Sequence, residues 1–496
     1  MNINLMRGVG FIKSEIAAKR EEWNVIRDCI LGEHHIKSKT IKYLPIPNSA
    51  TCTNTDSALY KSYIDRAQFI NAVRRTVHEL IGQVFVKEPF MQIEDDALMN
   101  LLRDNVDGKG VSLVQCAKKT LKHNIAYGYA GVYVDVPSLT SGISKSDYNS
   151  GAYRPTIQPI SPFKIRNFRV EKVGNVEKLT LVVLYNDVWR TGSDGFEDER
   201  KAQLIVLRLT NGVFYKDVYE NKGAYSAGIF NYDWEKRETI QPTDSAGQPL
   251  TEIPFFFVGV ENNNPYPDEP IMYDLASVNI SHYRNSADYE QTMFVAGQPT
   301  LVLSGLNVPK EVGSETEIKL GVNRALLLKN GGTASLVQAR AETGLIEAMT
   351  KKEAYMVSFG AKFLDEDVIV KTAYQVKTEN GSQKSILTNC TDNVSTAYTA
   401  ALKYIHKICG YSDEKVEMSL NTDFEYNKVG AEELTNAATL YEKGLITFGE
   451  FRAVARRAKL ATEDDEAALK EIEERLQSQT NKANKEQIND SKTQTK

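Results

Sequence analysis

The chain of 496 residues is too long for one simple hydrophobic core, so we expect two to four structural units. Hydrophobic residues make up 42% and charged residues 25%, as in ordinary folded proteins, and no apolar run approaches the roughly 20 residues that span a bilayer. The formal net charge of −5 argues against a sequence-reading DNA-binding protein, but it is compatible with a protein through which DNA slides.

The cysteines and the N-terminus bear on the compartment. The five cysteines are scattered and form no CxxC pair, so we expect free thiols. The N-terminal stretch has no apolar core that ends in small residues, so it does not predict a secretory leader. Both features indicate a reducing compartment.

Residues 1–262 are predicted to form one α+β unit. Helical apolar spacing covers 13–32, 56–85 and 111–127, and the last of these leads into a β-branched stretch at 129–136. Beyond residue 154 the pattern becomes β-rich, and the clearest strand candidates are 179–184, 203–209, 213–218 and 253–258. Between two of these strands, Asn211-Gly212 indicates a hairpin turn.

A turn-rich linker at 262–267 precedes a long predicted helix, 269–296. Its apolar residues trace one thin stripe, and at 1.5 Å per residue the helix would be about 40 Å long. So long a helix with so narrow an apolar face suits packing beside copies of itself better than burial inside one chain.

The middle of the chain is predicted to run as a helix out, a small insert and a helix back. The insert, 297–342, is expected to contain two short strands at 300–303 and 325–328. The returning helix is predicted over 345–363, with near-heptad apolar spacing that Lys352 interrupts.

An exposed loop is predicted over 364–384, with polar residues at both of its ends. A helix is expected to follow over 385–409, and a short strand within 411–424. The loop would therefore separate two helices in the second half of the chain.

The C-terminal region is predicted to consist of capped helices. Gly444 is suited to end one helix, and the pair Thr447 and Glu450 has the spacing of a capping box that starts the next. A further helix start is predicted at Thr462. The polar tail, 477–496, is expected to be disordered because it can bury almost no apolar surface.

No motif in the sequence predicts catalysis. The stretch Asp107-Gly108-Lys109-Gly110 lacks the spacing of a phosphate-binding loop and is interpreted as a turn that starts a helix. His34-His35 has no second ligand pair at a usable spacing, so a surface position is favoured over a metal site. The run Asp365-Glu366-Asp367 could hold Mg²⁺, but a solvated loop is favoured. We therefore expect no enzymatic activity, no catalytic or metal-binding residues and no cofactor.

The first half of the chain resembles the portal proteins, or head–tail connectors, of tailed bacteriophages. Gly82 to Pro89 is similar to the end of the second helix of the family's wing, and Ala126 to Val134 to the passage from helix to strand that follows. These short motifs are degenerate, and the resemblance lies in their order along the chain.

The second half continues the same resemblance. Asp274 to Ala276 and His282 to Tyr289 are similar to the family's stem helix, and Gln298 to Val302 to its entry into the clip. Tyr441 to Thr447 is similar to the crown helices of many portals. The resemblance covers nearly the whole chain apart from the tail.

The resemblance implies an α+β, portal-like fold with an α/β wing, a long helical stem, a small α/β clip and a helical crown. The segments would be the wing (1–262), the outgoing stem helix (263–296), the clip (297–342), the returning stem helix (343–363), the tunnel loop (364–384), the kinked helix and wing return (385–427), the crown (428–476) and the disordered tail (477–496).

The resemblance also implies a ring, usually of twelve copies, at one capsid vertex, with DNA entering and leaving through a central channel. The implied partners are other copies of the chain, double-stranded DNA without sequence specificity, the terminase large subunit, the major capsid and scaffolding proteins, and tail or adaptor proteins, with no membrane. The implied location is the virion, after assembly in the cytoplasm of the host bacterium.

Candidate site residues fall into two groups. Candidates for the DNA channel are the acidic residues of the outgoing helix and the lysines near the predicted tunnel loop: Asp274, Asp288, Glu290, Lys371, Lys377 and Lys384. A mildly acidic wall would let duplex DNA slide. Candidates for contacts between copies are the predicted clip strands: Thr300, Leu301, Val302, Leu326, Leu327 and Leu328.

Two alternatives remain open from the sequence. One is another ring- or shell-forming virion protein, such as an adaptor or a capsid subunit. A capsid subunit would assemble into closed shells, and an adaptor would usually be much shorter. The other is a DNA-processing enzyme, which would show metal- or nucleotide-dependent activity on DNA.

Overall fold

The computed structural model divides the chain into two compact units, Met1–Thr422 and Asp423–Lys496. Helices and antiparallel sheets are mixed along the chain, which is consistent with the predicted α+β class. The structure describes residues 8–47, 54–92, 97–137, 154–192, 194–223, 225–226, 229–230, 233–298, 300–304, 331–338, 343–361, 373–410, 415–422, 431–457, 460, 469–470 and 474.

The secondary-structure elements are numbered here in chain order. The α-helices are α1 (Ser14–Leu31), α2 (Glu33–Ser38), α3 (Ala58–Arg66), α4 (Ala72–Val84), α5 (Ala97–Asp104), α6 (Leu113–Tyr127), α7 (Tyr273–Ala296), α8 (Thr343–Ala361), α9 (Ala373–Cys409), α10 (Ala431–Glu442) and α11 (Phe448–Arg457). The strands are β1 (Phe90–Gln92), β2 (Tyr129–Asp135), β3 (Thr156–Ile160), β4 (Ile165–Val173), β5 (Val176–Thr191), β6 (Asp198–Thr210), β7 (Val213–Asn221), β8 (Tyr225–Ser226), β9 (Ile229–Phe230), β10 (Trp234–Ile240), β11 (Phe255–Gly259), β12 (Thr300–Leu303), β13 (Ala334–Val337) and β14 (Glu417–Ser419).

The first predicted helix is confirmed as α1, and it anchors the first unit through Trp23. The indole Nε1 of Trp23 donates to the backbone oxygen of Tyr127 at 2.8 Å, and its ring stacks on Tyr129. The helix ends at Gly32, whose φ of 94° favours glycine. A Cβ on Gly32 would also lie 2.9 Å from the guanidinium of Arg74, so the chain turns tightly here.

The single helix predicted over 56–85 is wrong, because the chain breaks into α3 and α4. The side chain of Asn71 accepts a hydrogen bond from the backbone N–H of Arg74 and caps α4. Just before it, the N–H of Gln68 donates to Ser286 Oγ on α7 at 2.9 Å. The N–H of Gln68, which a continuous helix would use in its own hydrogen bonding, therefore donates to a side chain that is distant in sequence.

Two antiparallel sheets form the β-rich part of the first unit. The larger has the strand order β10-β7-β6-β5-β4 and the smaller the order β11-β2-β3. The predicted hairpin between β6 and β7 is confirmed, with φ values of 53° at Asn211 and 76° at Gly212. In the smaller sheet, Gly131 on β2 lies against the ring of Phe255 so closely that a Cβ would overlap it.

Helix α6 packs against this smaller sheet and starts as predicted from the turn at 107–112. Ser112 and Gln115 form a capping box, in which each side chain accepts from the other residue's backbone N–H. The helix ends at Gly128, whose φ is 68°. The side chain of Asn124 donates to the backbone oxygen of Gly259 at 3.0 Å and joins α6 to β11.

The helix out, insert and helix back that the sequence predicts correspond to α7, the β12–β13 hairpin and α8. The strand that pairs with β12 is Ala334–Val337, and the predicted strand at 325–328 lies outside the described residues. The loop predicted over 364–384 is corrected in part, because α9 begins at Ala373 and the remaining loop residues, 364–372, are not among those described. Backbone hydrogen bonding carries the helix through Asn380-Gly381 despite their turn preference.

The last elements of the first unit pack against elements from its first half. Helix α9 runs to Cys409, and β14 pairs with β1 in an antiparallel two-stranded sheet. The hydroxyl of Tyr398 on α9 lies 2.9 Å from that of Thr120 on α6, so the returning helix packs on the first half of the chain.

The second unit contains α10 and α11 and confirms the predicted caps. Gly444 has a φ of 68° after α10. The N–H of Glu450 donates to Thr447 Oγ1 at 3.3 Å, and the N–H of Thr447 donates to Glu450 Oε2 at 2.7 Å. Tyr441 stacks on Phe451 and closes the helical pair. The predicted helix start at Thr462 and the tail at 477–496 lie outside the described residues.

Candidate functional site

The strongest candidate for a functional surface is α7, the β12–β13 hairpin and α8, called here the helix–hairpin–helix segment. Leu275, Ile280, Tyr283 and Ala287 lie on one stripe of α7 and are buried. They pack against α1, α3 and α4 within the same chain. The stripe follows the helical period that the sequence predicts. It packs the first two-thirds of α7 against its own chain and not against another copy.

Polar contacts fix this buried part of α7. The side-chain amide of Asn279 donates to the backbone oxygen of Ile70 at 2.7 Å. Arg284 Nε donates to the backbone oxygen of Tyr43 at 2.8 Å. Because these donors contact backbone at fixed points, the direction in which α7 leaves the unit is set by the fold.

The two long helices of the segment are joined by polar side chains. His282 Nε2 on α7 lies 2.9 Å from Glu353 Oε1 on α8. Beside it, Lys352 Nζ donates to the backbone oxygen of Ser281 at 3.2 Å. Burial, followed by the charge of Arg284, lowers the pKa of Lys352. The residue that interrupts the apolar spacing of α8 in the sequence is thus a contact between the helices.

The hairpin continues from the end of α7 with a defined register. Leu301 pairs with Leu336 and Val302 with Ser335. The hydroxyls of Ser304 and Thr333 lie 2.7 Å apart at the end of the hairpin. The side-chain amide of Gln338 donates to the backbone oxygen of Ala296 at 2.7 Å, which ties β13 to the last turn of α7.

The outer part of this segment exposes large apolar side chains on every one of its elements. They are Met293, Phe294, Val295, Val302, Leu336, Val337, Ile346, Tyr355 and Val357. Leu336 is 67% exposed and Val337 59%, although both lie on a paired strand. A folded monomer seldom leaves so many large apolar side chains exposed within one segment, and such a surface is typical of a binding interface.

The acidic residues predicted for a channel wall have different surroundings. Asp274 is exposed in the first turn of α7, where a carboxylate is favoured by the helix dipole. Asp288 Oδ1 accepts a hydrogen bond from the hydroxyl of Tyr63 at 2.5 Å, and burial and then this bond raise the pKa of Tyr63. Glu290 Oε1 accepts from Gln68 Nε2 at 3.4 Å. The last two carboxylates therefore support the packing of α7 on α3 and the turn after it.

The other predicted site residues are only partly placed. Lys371 lies outside the described residues, and Lys377 and Lys384 belong to α9, of whose side chains nothing is described at these positions. Thr300, Leu301 and Val302 form β12, with Val302 exposed and Leu301 half-buried. Leu326, Leu327 and Leu328 lie outside the described residues.

The sequence analysis missed a buried carboxylate next to the residues that hold α7 in place. Asp28 on α1 is fully buried and accepts a hydrogen bond from the hydroxyl of Tyr43 at 2.7 Å. Arg27, His35 and Lys42 surround the same carboxylate at 3.0 to 3.4 Å. Tyr43 is also the residue whose backbone oxygen holds Arg284, so the Asp28 cluster fixes a support of α7. Nothing in the charge-rich sequence around Asp28 marks it as buried.

The structure offers no described metal centre at the positions weighed from the sequence. His34 and His35 lie on α2, and His35 Nε2 lies 3.0 Å from Asp28 Oδ1. Across the described residues, no group of three His, Cys, Asp or Glu side chains is arranged to hold a metal ion. Asp365, Glu366 and Asp367 are not among those residues.

Similar proteins were found among family models and among solved structures. A family described as a domain of unknown function, DUF4055, matches residues 271–407, which include α7, the hairpin, α8 and most of α9. A solved structure described as "Neck of native GTA particle computed with C12 symmetry" contains a chain that is 11% identical to this one, with a TM-score of 0.40. The alignment covers 77% of this chain and 89% of that chain.

A third comparison and a search for membrane-spanning helices found nothing. No curated protein sequence matches the chain. None of the helices that the structure describes is long and apolar enough to cross a membrane.

Proposed function

We propose that the chain is a portal-type subunit that forms a closed ring with copies of itself at one vertex of a tailed-bacteriophage-like capsid. The observation that carries the proposal is the apolar surface of the helix–hairpin–helix segment, whose side chains are exposed in the single chain. The order of elements supports the proposal: a mixed helix and sheet region precedes the segment, and a small helical unit follows α9.

A ring accounts for the uncovered surface. In a cyclic assembly each copy offers one surface to the neighbour on one side and a different surface to the neighbour on the other, and the ring closes without free interfaces. Apolar side chains that α7, the hairpin and α8 expose would then be buried between copies. The chain can fold without this contact because the first two-thirds of α7 are already packed.

In the proposed ring, double-stranded DNA passes through the centre without sequence-specific contacts. Its phosphates would bind tightly to a strongly basic wall, whereas the net charge of this chain is −5. Asp274 is exposed and remains a candidate for the wall. Asp288 and Glu290 would contribute charge while they hold α7 in place.

The proposed role is that of a channel and docking platform, not of an enzyme. Its partners would be the terminase large subunit during packaging, the major capsid and scaffolding proteins around the vertex, and tail or adaptor proteins afterwards. No cofactor is required for this role. The ring would be assembled in the host cytoplasm and remain in the virion.

The test is mass determination with negative-stain imaging of the purified chain and of matched variants. We expect rings with a central hole and a mass near twelve times 55.6 kDa. Leu336→Asp and Val357→Asp, each placing a charge in the apolar surface, should shift the protein to smaller species. Val176→Asp is the control, because Val176 is 69% exposed on β5, away from the segment.

Several results would count against the proposal. A wild-type chain that stays monomeric over a wide range of salt concentrations would contradict ring formation. Rings that are equally stable in all three variants would mean that the segment is not the interface. Closed shells would identify a capsid subunit, and a monomer that cuts or unwinds DNA would identify an enzyme.

A further inference from the structure

Helix α6 carries an unbalanced group of lysines. Lys118, Lys119 and Lys122 lie on this helix, and its sequence, LVQCAKKTLKHNIAY, contains no Asp or Glu. Lys118 and Lys122 are four residues apart, so they lie on the same face, where like charges destabilise a helix. Lys118 and Lys119 are exposed and Lys122 is half-buried. The helix therefore gains no ion pair of its own from these charges.

Further cations come from the elements next to α6. Lys118 Nζ lies 5.6 Å from the centre of the Phe85 ring, at the end of α4. Arg74 is exposed on the same helix, and its guanidinium donates to the backbone oxygens of Ile30 and Leu31, which leave its charge in place. The charges of Arg74, Lys118 and Lys122 all act on His78 between them. On the other side, Tyr127 packs against Phe163 at 5.3 Å, next to Lys164 in a short 3₁₀ turn. Two helices and a turn thus bring basic side chains together on one part of the first unit.

Carboxylates on the neighbouring elements form ion pairs with other residues. Among the described residues, no carboxylate oxygen lies within 4.0 Å of the Nζ atom of Lys118, Lys119, Lys122 or Lys164, so none of these lysines forms an ion pair there. Glu79 on α4 pairs with Arg75 at 2.7 Å. Asp187, which faces Lys164, pairs with Arg200 at 2.9 Å. The charge of Asp187 still acts on Lys164, but none of these four lysines has a carboxylate of its own in the described part of the chain.

The positive charges act on the groups next to them. Burial, followed by the charges of Lys119, Lys122 and Lys164, lowers the pKa of His123 to about 3. The Nδ1 atom of His123 is inaccessible to solvent and has no hydrogen-bond partner among the described residues. Burial and the charge of Lys119 also lower the pKa of Lys164. Perturbed pKa values of this kind are frequent at sites that bind a ligand.

We propose that Arg74, Lys118, Lys119, Lys122 and Lys164, called here the α6 basic patch, bind the phosphates of duplex DNA without regard to its sequence. The net charge of −5 gives no sign of this surface, because acidic residues elsewhere in the chain outnumber the basic ones. The patch lies outside the helix–hairpin–helix segment, so it would hold DNA at a place other than the proposed channel wall. The inference does not depend on ring formation.

Nucleic acid fits the patch better than an acidic protein does. Interfaces between proteins depend on apolar anchors that become buried, and α6 exposes no large apolar side chain. Non-specific DNA binding instead depends on lysine and arginine contacts to phosphates. The patch supplies these contacts from two helices and a turn, and it offers little for a partner that must bury apolar surface.

The experiment is fluorescence anisotropy with the full chain and a labelled random-sequence duplex of about 20 base pairs, starting at about 50 mM salt. The patch variant combines Lys118→Gln, Lys119→Gln and Lys122→Gln. The control variant combines Lys172→Gln, Lys178→Gln and Lys201→Gln on the large sheet, which removes the same charge. Thermal unfolding of both variants verifies that they remain folded, and their masses report assembly separately from DNA binding.

We expect wild-type binding to weaken steeply as salt rises, because bound phosphates release counterions. The patch variant should lose at least about tenfold in affinity at low salt, and its plot of log affinity against log salt should be about 2 to 3 units less steep. The control variant should bind like the wild type. Unchanged masses with lost DNA binding would separate this surface from the proposed ring interface.

Three results would overturn the inference. The first is no DNA binding by the folded wild-type chain at about 50 mM salt. The second is an equal loss of affinity in the patch and control variants, which would mean that only net charge matters. The third is competition by a polyglutamate peptide as strong as that of unlabelled DNA of the same charge, which would identify an acidic protein segment as the partner.

Discussion

The imidazole Nε2 of His282 lies 2.9 Å from the carboxylate Oε1 of Glu353, and this contact joins α7 to α8. His282 is only 1% exposed, whereas Glu353 is 44% exposed at its side chain. The other ring nitrogen of His282, Nδ1, has no partner among the described residues. The histidine therefore depends on Glu353 to satisfy a polar group inside the helix pair.

Glu353→Ala should destabilise the first unit. It leaves His282 buried without its described side-chain partner, at a cost of about 1–3 kcal/mol in the free energy of unfolding. Glu347→Ala is the matched control, because Glu347 is an exposed residue on the same helix. Urea unfolding of both variants measures the difference. Equal stabilities would show that the contact between His282 and Glu353 contributes nothing.

Asp28→Asn should change both stability and its dependence on pH. Burial raises the pKa of Asp28, but hydrogen bonds from Tyr43 and His35, with the charges of Arg27 and Lys42, lower it overall. A lowered pKa in the folded state means that the carboxylate stabilises the fold above its unfolded pKa of about 3.9. This stability is lost as pH falls through the lower, folded pKa.

The wild type should therefore lose free energy of unfolding below about pH 4, and Asp28→Asn should lose less over the same range. At pH 7 the variant should be less stable by about 1.5–3 kcal/mol, because the hydrogen bonds of Tyr43 and His35 lose their charged acceptor. Asp65→Asn, at an exposed position on α3, is the control and should keep the wild-type pH profile. A variant of Asp28 with the same acid sensitivity as the wild type would contradict this account.

Two glycine substitutions should act in opposite directions. Gly131→Ala would force its Cβ into the ring of Phe255 and should cost about 1–3 kcal/mol. Gly82→Ala, in α4, meets no atom within 4 Å and should stabilise the helix by up to about 1 kcal/mol. Thermal unfolding of the two variants gives the comparison. Destabilisation by both would mean that the free space around Gly82 is smaller than the structure indicates.

Local patterns in the sequence predicted the elements whose causes are local. The hairpin at Asn211-Gly212 and the capping box of Thr447 and Glu450 depend only on residues next to one another, and both are confirmed. The long apolar stripe of α7 was also visible because it repeats with the helical period. Such features could be predicted without knowledge of the rest of the chain.

Features that depend on distant residues were missed. The break between α3 and α4 involves Ser286, more than 200 positions away, and local helical spacing gave no sign of it. The burial of Asp28 depends on partners from two later elements. The α6 basic patch was hidden because net charge sums over the whole chain, whereas binding depends on where the charges lie.

The uneven burial of α7 has a consequence for the order of events after synthesis. Ile280 and Tyr283 are enclosed within one chain, whereas Met293 and Phe294 at the far end of the helix are exposed. In the proposed ring, the chain would therefore fold first and associate second, so a folded monomer would accumulate before any ring exists. Association would then begin only above a threshold concentration, and the timing of assembly would depend on the rate of supply of new subunits.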